Sequence, residues 1–244
     1  MDPAVVRADM IEGLQHESKG VLTDASLAAA MQAVPREAFV PDGVDPYADR
    51  EYDHLGTTVL APSDVARLLE ALSPEPDDSV LVVGAGVGYT SAVLAELVGE
   101  TNVHAVDIAR PAVYAARSNL AEAGYDGVLV DCRDGVRGLP AYAPFDRILL
   151  EASAVAVPDP LRAQLADGGR LVFPCGTSTQ RLLTVTSTGR VEHGPVSFEP
   201  LLVRGEQSGA IERNRTMRED GEFALQRAGA HRGWEHEWIE WESD

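Results

Sequence analysis

The stretch VLVVGAGVGYTSAVLA, residues 80–95, decides the fold. Val80–Val83 is continuously apolar, the pattern of a strand buried on both faces. Gly84, Gly86 and Gly88 follow with no room for a long loop, and Tyr89–Val98 then carries helical spacing. A strand feeding a helix through closely spaced glycines is the opening unit of a doubly wound sheet. The same rhythm recurs downstream. Apolar runs stand at Val103–Val106, Val128–Val130, Arg147–Leu150 and Arg170–Phe173, with helices predicted at Arg110–Ala123 and Pro160–Leu165. The fold class is therefore α/β, with a mostly parallel, doubly wound sheet. Leu182–Thr186 and Val196–Val203, separated by the turn signal STGR, read as a closing antiparallel pair.

The glycine turn has the spacing GxGxG, whereas the dinucleotide fingerprint is GxGxxG. In the longer form the third glycine helps seat a pyrophosphate at the helix N-terminus. The tighter form suits S-adenosylmethionine, which carries no phosphate. The bland alternative is a tight strand–helix connection. Asp107 closes the next strand, where an acid accepts hydrogen bonds from both ribose hydroxyls or caps the following helix. Asp134-Gly135 lies beyond the strand after that. Ligands of open α/β sheets sit outside the carboxyl ends of the strands, so Asp134 either accepts from an adenine amino group or makes an Asp-Gly turn.

N-terminal to the sheet, residues 4–16 and 23–33 carry helical spacing, and Pro62 opens a helix reaching Leu72 after a loop through Gly56, Thr57 and Thr58. SPEPDD (Ser73–Asp78) is a break. Three regions follow: 1–78, helices and loops facing substrate; 79–205, the sheet; and 206–244, an acidic extension. In the extension Trp234, Trp238 and Trp241 share one helical face, which either docks on the body or serves as an oligomer contact or lid.

Composition narrows the class further. Twenty Lys+Arg against 39 Asp+Glu give a net charge of −19 over 244 residues, and Lys19 is the sole lysine. That balance has the wrong sign for tracking nucleic-acid phosphates. It fits a surface working in molar salt, where the Debye length falls to about 3 Å and carboxylate repulsion is screened. An acidic protein in ordinary salt is the plainer reading. No apolar run is long enough to span a membrane, and the N-terminus lacks a basic-then-apolar signal, so a cytoplasmic protein is expected. The six histidines show no metal-ligand spacing, so no metal is assigned. Cys132 and Cys175 read as buried small apolar residues, not nucleophiles.

Over residues 7–204 the chain closely resembles the protein-L-isoaspartate O-methyltransferases. The resemblance rests on residues 33–41 (AVPREAFVP), Tyr47-Ala48-Asp49, the Gly84–Gly88 turn and Asp134 through Gly138. It continues in Ala143 through Ile148, Gln164-Leu165, Gly168-Gly169, Pro174, Gln180 and Phe198 through Leu201. It implies a Rossmann-like methyltransferase fold that uses S-adenosylmethionine and methylates isoaspartyl carboxylates of damaged protein. It also implies a cofactor site of Gly84, Ala85, Gly86, Val87, Gly88, Asp107, Ile108, Asp134 and Gly135, with Thr57 and Thr58 contributing from the loop. Two rivals are a family member retargeted to another acceptor and a non-catalytic module that binds the cofactor. A nicotinamide oxidoreductase is a more distant one.

One departure bears on catalysis. The family carries a Gly-Gln-Thr-Ile-Ser-type loop beside the transferred methyl; here it reads Gly56-Thr57-Thr58-Val59-Leu60. Thr58 is retained as a catalytic-loop candidate, and Leu60 stands in the serine position. A carboxylate with a pKa of about 4 is already ionised at neutral pH and needs no general base. The loop hydroxyl would position the attacking oxygen, so its loss either slows the reaction or marks a new acceptor. Glu151, after the run Arg147–Leu150, replaces a small polar residue near the pocket; it either contacts substrate or caps a loop.

Overall fold

The computed structural model describes residues 2–16 and 18–202, so the tryptophan helix expected in 206–244 lies outside the described residues. Helix α1 (Pro3–Gln15) starts behind Asp2, whose side chain accepts from the Ala4 N–H. Helix α2 (Ala25–Ala33) is capped by Asp24, which accepts from the Leu27 N–H. A short hairpin follows, β1 (Tyr52–His54) and β2 (Thr57–Val59), and then α3 (Pro62–Leu72) opens with proline in its first turn. Asp49 accepts from the Ser63 N–H at 2.9 Å, tying the connector to the start of α3.

The sheet unit begins at β3 (Val80–Val83) and continues through α4 (Tyr89–Val98), β4 (Val103–Asp107), α5 (Arg110–Ala123) and β5 (Leu129–Cys132). After it come β6 (Phe145–Leu150), α6 (Asp159–Arg162), β7 (Leu165–Gly176), β8 (Gln180–Thr186) and β9 (Gly189–Val196). The seven strands lie in the order β5-β4-β3-β6-β7-β8-β9. The first five are parallel; β8 and β9 are antiparallel to their neighbours. Every residue of β3 is buried, as a central strand covered on both faces requires. The order reverses between β3 and β6. That switch point opens a crevice at the carboxyl ends of the two strands, where open α/β sheets bind ligands.

Met10, Leu14, Met31 and Leu68 from the leading helices belong to the same buried cluster as Val80, Val82 and Leu94 of the sheet unit. The first 78 residues thus share one core with the sheet. A second buried cluster, with Leu81, Ile148 and Phe173, fills the opposite face. Among the described residues no helix is long and apolar enough to cross a membrane.

Three local expectations are corrected. The second closing strand is β9 (Gly189–Val196), not Val196–Val203. The turn is only Ser187-Thr188 wide, because Thr186 already pairs with Gly189. β9 is polar and largely exposed, so it carries no apolar signature, while Phe198 and Leu201 pack as irregular chain against the core. The Gly56 loop is the tip of the β1–β2 hairpin, with Leu55 and Gly56 at φ of 53° and 77°. Positive φ at both central positions marks a two-residue hairpin turn, and a leucine there is unusual. Cys132 is exposed and Cys175 half-buried, neither in the core; Cys132 ends β5 at the sheet's edge.

Candidate active site

Two chain reversals meet over the switch point. The first is the glycine turn after β3, where Gly84, Gly86 and Gly88 have φ of 93°, 52° and 96°. L-residues rarely adopt that region, so glycine is required at all three. Their surroundings differ, however. A Cβ on Gly84 would lie 3.5 Å from the Cβ of Glu151, and one on Gly86 3.5 Å from Thr57 Oγ1. One on Gly88 would press on Leu120 Cγ at 3.2 Å. Gly84 and Gly86 therefore face the crevice, whereas Gly88 lets α4 approach α5.

Asp107 locks this turn. Its Oδ2 accepts from the Gly86 N–H and its Oδ1 from the Ala109 N–H, each at 2.8 Å. Both oxygens keep lone pairs for further donors. Burial pushes its carboxyl up; the N–H groups of Ala109, Gly86 and Ile108 pull it back. The N-cap of α5 is Ala109, so Asp107 serves the helix start only through that residue's N–H.

Asp134 and Gly135 stand beyond β5. Asp134 accepts from the Val136 N–H at 3.1 Å and so shapes a single 3-10 turn. A Cβ on Gly135 would collide with Val83 Cγ1 at 2.4 Å, so this backbone is pressed onto the end of β3. Gln164 fixes the segment, accepting from the Leu139 N–H and donating to the carbonyls of Arg137 and Pro160.

The second reversal is the hairpin. Strand β2 and the residue after it bring Thr58, Val59 and Leu60 over the glycine turn. Together with Ala85, Gly86, Val87, Tyr89, Thr90, Val65 and Glu151 they line one cleft. Arg36 anchors this loop: it is fully buried, donates Nη2–H to the Leu60 carbonyl at 2.6 Å and Nε–H to the Pro46 carbonyl at 2.8 Å, and lies 4.5 Å from the Tyr89 ring centroid. Desolvation lowers its pKa.

The sequence pattern does not disclose how Glu151 sits. It directly follows β6, beside the glycine turn, and its Oε1 is shielded from solvent with no hydrogen-bond partner among the described residues. Burial raises its pKa to about 8, Asp107 adds to the rise, and the Thr90 hydroxyl opposes it. A carboxylate directly after an apolar run at the switch point is the signal that marks it.

The cleft is lined by Thr58, Thr90, the Glu151 carboxyl and the backbone of Ala85, Gly86 and Val87, with the Asp107 carboxylate held against the Gly86 N–H, and no Lys or Arg lines it. That donor set fits a nucleoside carrying a sulfonium better than one carrying phosphates. The comparison with known proteins agrees. The family model for protein-L-isoaspartate(D-aspartate) O-methyltransferase matches residues 6–198. The chain belongs to this family. It is 43% identical over 208 residues to the protein-L-isoaspartate O-methyltransferase of Aeropyrum pernix, covering 80% of this chain and 79% of that one. To the Methylorubrum extorquens protein of the same name it is 43% identical over 210 residues, covering 82% and 90%. A solved protein-L-isoaspartate O-methyltransferase superposes with a TM-score of 0.70 at 26% identity, covering 83% of this chain and 67% of that one. A Plasmodium falciparum structure described as a protein-L-isoaspartate O-methyltransferase, in complex with S-adenosyl-L-homocysteine, shares the fold. Its TM-score is 0.72 at 22% identity, covering 80% and 98%.

Proposed function

We propose that the protein methylates isoaspartyl carboxylates of damaged proteins with S-adenosylmethionine. The observation carrying this reading is the single cleft in which the family's glycine turn and the loop 57–60 face each other. S-adenosylmethionine, when bound, supplies an electrophilic methyl on a positively charged sulfur. The backbone at Gly84 and Gly86 would lie along it. Asp107 would accept from the ribose hydroxyls through its remaining lone pairs, and Asp134 with Gly135 would flank the adenine. Ala85, Val87 and Ile108 would wall the nucleoside, and Thr57 and Thr58 would cover it from β2.

The chain's part in the chemistry is positional. An acceptor carboxylate is already ionised, so the cleft has to hold its oxygen about 3–3.5 Å from the methyl carbon and exclude water from both. Val59, Leu60 and Val65 supply the apolar wall. Methyl esterification turns the isoaspartyl carboxylate into an ester whose methoxy group departs as methanol when its carbonyl is attacked. The following backbone nitrogen closes a succinimide, and its hydrolysis returns part of the chain to aspartate.

The working environment inferred is a cytoplasm of high ionic strength, supported by the −19 charge and the sole lysine. The test is an isoaspartyl peptide incubated with labelled cofactor in molar KCl. Formation of a base-labile methyl ester is expected. Cofactor binding without ester would overturn the reading and favour a different acceptor, the alternative to which Leu60 points.

A further inference from the structure

Glu151 is not accounted for by the cofactor site. Its N–H donates to the Val83 carbonyl at 2.8 Å, fixing its backbone beside the glycine turn. Its Cβ stands against Gly84, so the side chain runs beneath that turn into the cleft. Thr58 and Leu60 line the same cleft. Oε1 is out of solvent and unpartnered. Buried carboxyl oxygens without partners are rare in native proteins, because the lost hydration is not replaced. The titratable groups around it are Asp107 across the glycine turn and Tyr89 on α4; β2 and α3 present only Thr58, Val59, Leu60 and Val65. No Lys or Arg lines the cleft, so the protein itself supplies no cation there to balance a second anion.

Resting on the function proposed above, we propose that Glu151, as a neutral carboxylic acid, donates the hydrogen bond that holds the acceptor carboxylate in line with the methyl. It thereby does the work of the loop hydroxyl that the family resemblance implies at position 60. Two carboxyl groups brought together in a water-poor site share one proton. Burial and the Asp107 charge already favour protonated Glu151 at neutral pH, since its pKa stands at about 8. The isoaspartyl group, with an ordinary pKa of about 4, is the partner that stays ionised. The balance is simple. One oxygen of the acceptor forms the new C–O bond as the S–CH3 bond breaks, and that electron pair stays on sulfur. The other oxygen accepts from Glu151, whose proton remains on Glu151. An ionised Glu151 would instead repel the acceptor, so esterification switches off as pH rises.

The experiment follows S-adenosylhomocysteine release on an isoaspartyl peptide between pH 6.5 and 9.5, with cofactor affinity measured in parallel by calorimetry. For the unmodified protein kcat/KM is expected to be level below pH 8 and to fall about tenfold per unit above it, as loss of one essential proton requires. Glu151→Gln keeps a neutral donor, so it is expected to stay within about threefold at pH 7 and to lose the alkaline fall. Glu151→Ala is expected to lose about tenfold or more in kcat/KM, with cofactor Kd changed by less than about threefold. Adding Leu60→Ser to Glu151→Ala is expected to restore most of that loss by returning a hydroxyl donor. A Glu151→Ala variant as active as the unmodified protein, or an unmodified profile that is flat or rises through pH 8, overturns the proposal while the isoaspartyl reading stands. No ester from the unmodified protein overturns both.

Discussion

The two reversals that form the cleft read their ligands in different ways. The glycine turn presents backbone, and its shape is set by positive φ and by Asp107 accepting the Gly86 N–H. The hairpin end presents side chains, and Leu60 from that end lines the cleft together with Glu151. Backbone geometry that depends on positive φ tolerates little substitution, so the glycine turn is the rigid half of the cleft. The acceptor side is held by side chains, and a loss at one wall can be met by a gain at the other.

The largest expected effect tests the rigid half. Gly84→Val places a β-branched side chain at φ 93° with its Cβ 3.5 Å from that of Glu151. Strain of about 1–3 kcal/mol, together with blockage of the cleft, is expected to weaken cofactor binding by about 30-fold or more in calorimetry. Next, Asp107→Ala removes charge-assisted acceptors worth roughly 1.5–3 kcal/mol, so cofactor Kd is expected to rise about tenfold or more. Unchanged affinity would break the comparison by showing that the nucleoside lies elsewhere.

On the adaptable half the effects are smaller. Leu60→Ser adds a hydroxyl to a cleft that already has a donor in Glu151. Peptide kcat/KM is expected to rise about two- to fivefold, equivalent to about 0.5–1 kcal/mol. Glu151→Gln sharpens the contrast through stability. The folded pKa of about 8 lies above the unfolded value of about 4.3, so between those limits the native state holds more protons than the unfolded chain. Stability therefore falls as pH climbs from about 4 to 8 and levels beyond. Gln does not titrate, so the variant is expected to melt several degrees higher than the unmodified protein at pH 8, with a much smaller difference at pH 5. Equal melting points at pH 8 would show that Glu151 is not held in an environment hostile to its charge.

The parts of the molecule legible in sequence are those where burial imposes a period. Val80–Val83, Tyr89–Val98 and Arg110–Ala123 stand at the predicted bounds, because a central strand and its flanking helices must be apolar where they meet. β9 escaped because an edge strand has no such requirement, and its Glu192 and His193 carry no alternation. The β1–β2 hairpin escaped because its turn is Leu55-Gly56, where the usual signal is Asn-Gly or Asp-Gly. At the site, the glycine spacing and the acid ending β4 pointed to the crevice. The tie between Asp107 and Gly86 did not show, since hydrogen bonding between residues far apart in the chain leaves no local pattern. The same reason hid the direction of the Glu151 side chain. Pattern places a residue at a strand end, and only packing decides whether its oxygen meets water.

Arg36 holds the loop by the carbonyl oxygen of Leu60, not by its side chain. The position of the main chain there is thus independent of what residue 60 is, so long as it is not one that disturbs the backbone. Nature and the engineer are offered the same liberty: a rigid mount with an exchangeable bit. Paired libraries at residues 60 and 151 would sample new nucleophiles while leaving the methyl donor's seat untouched.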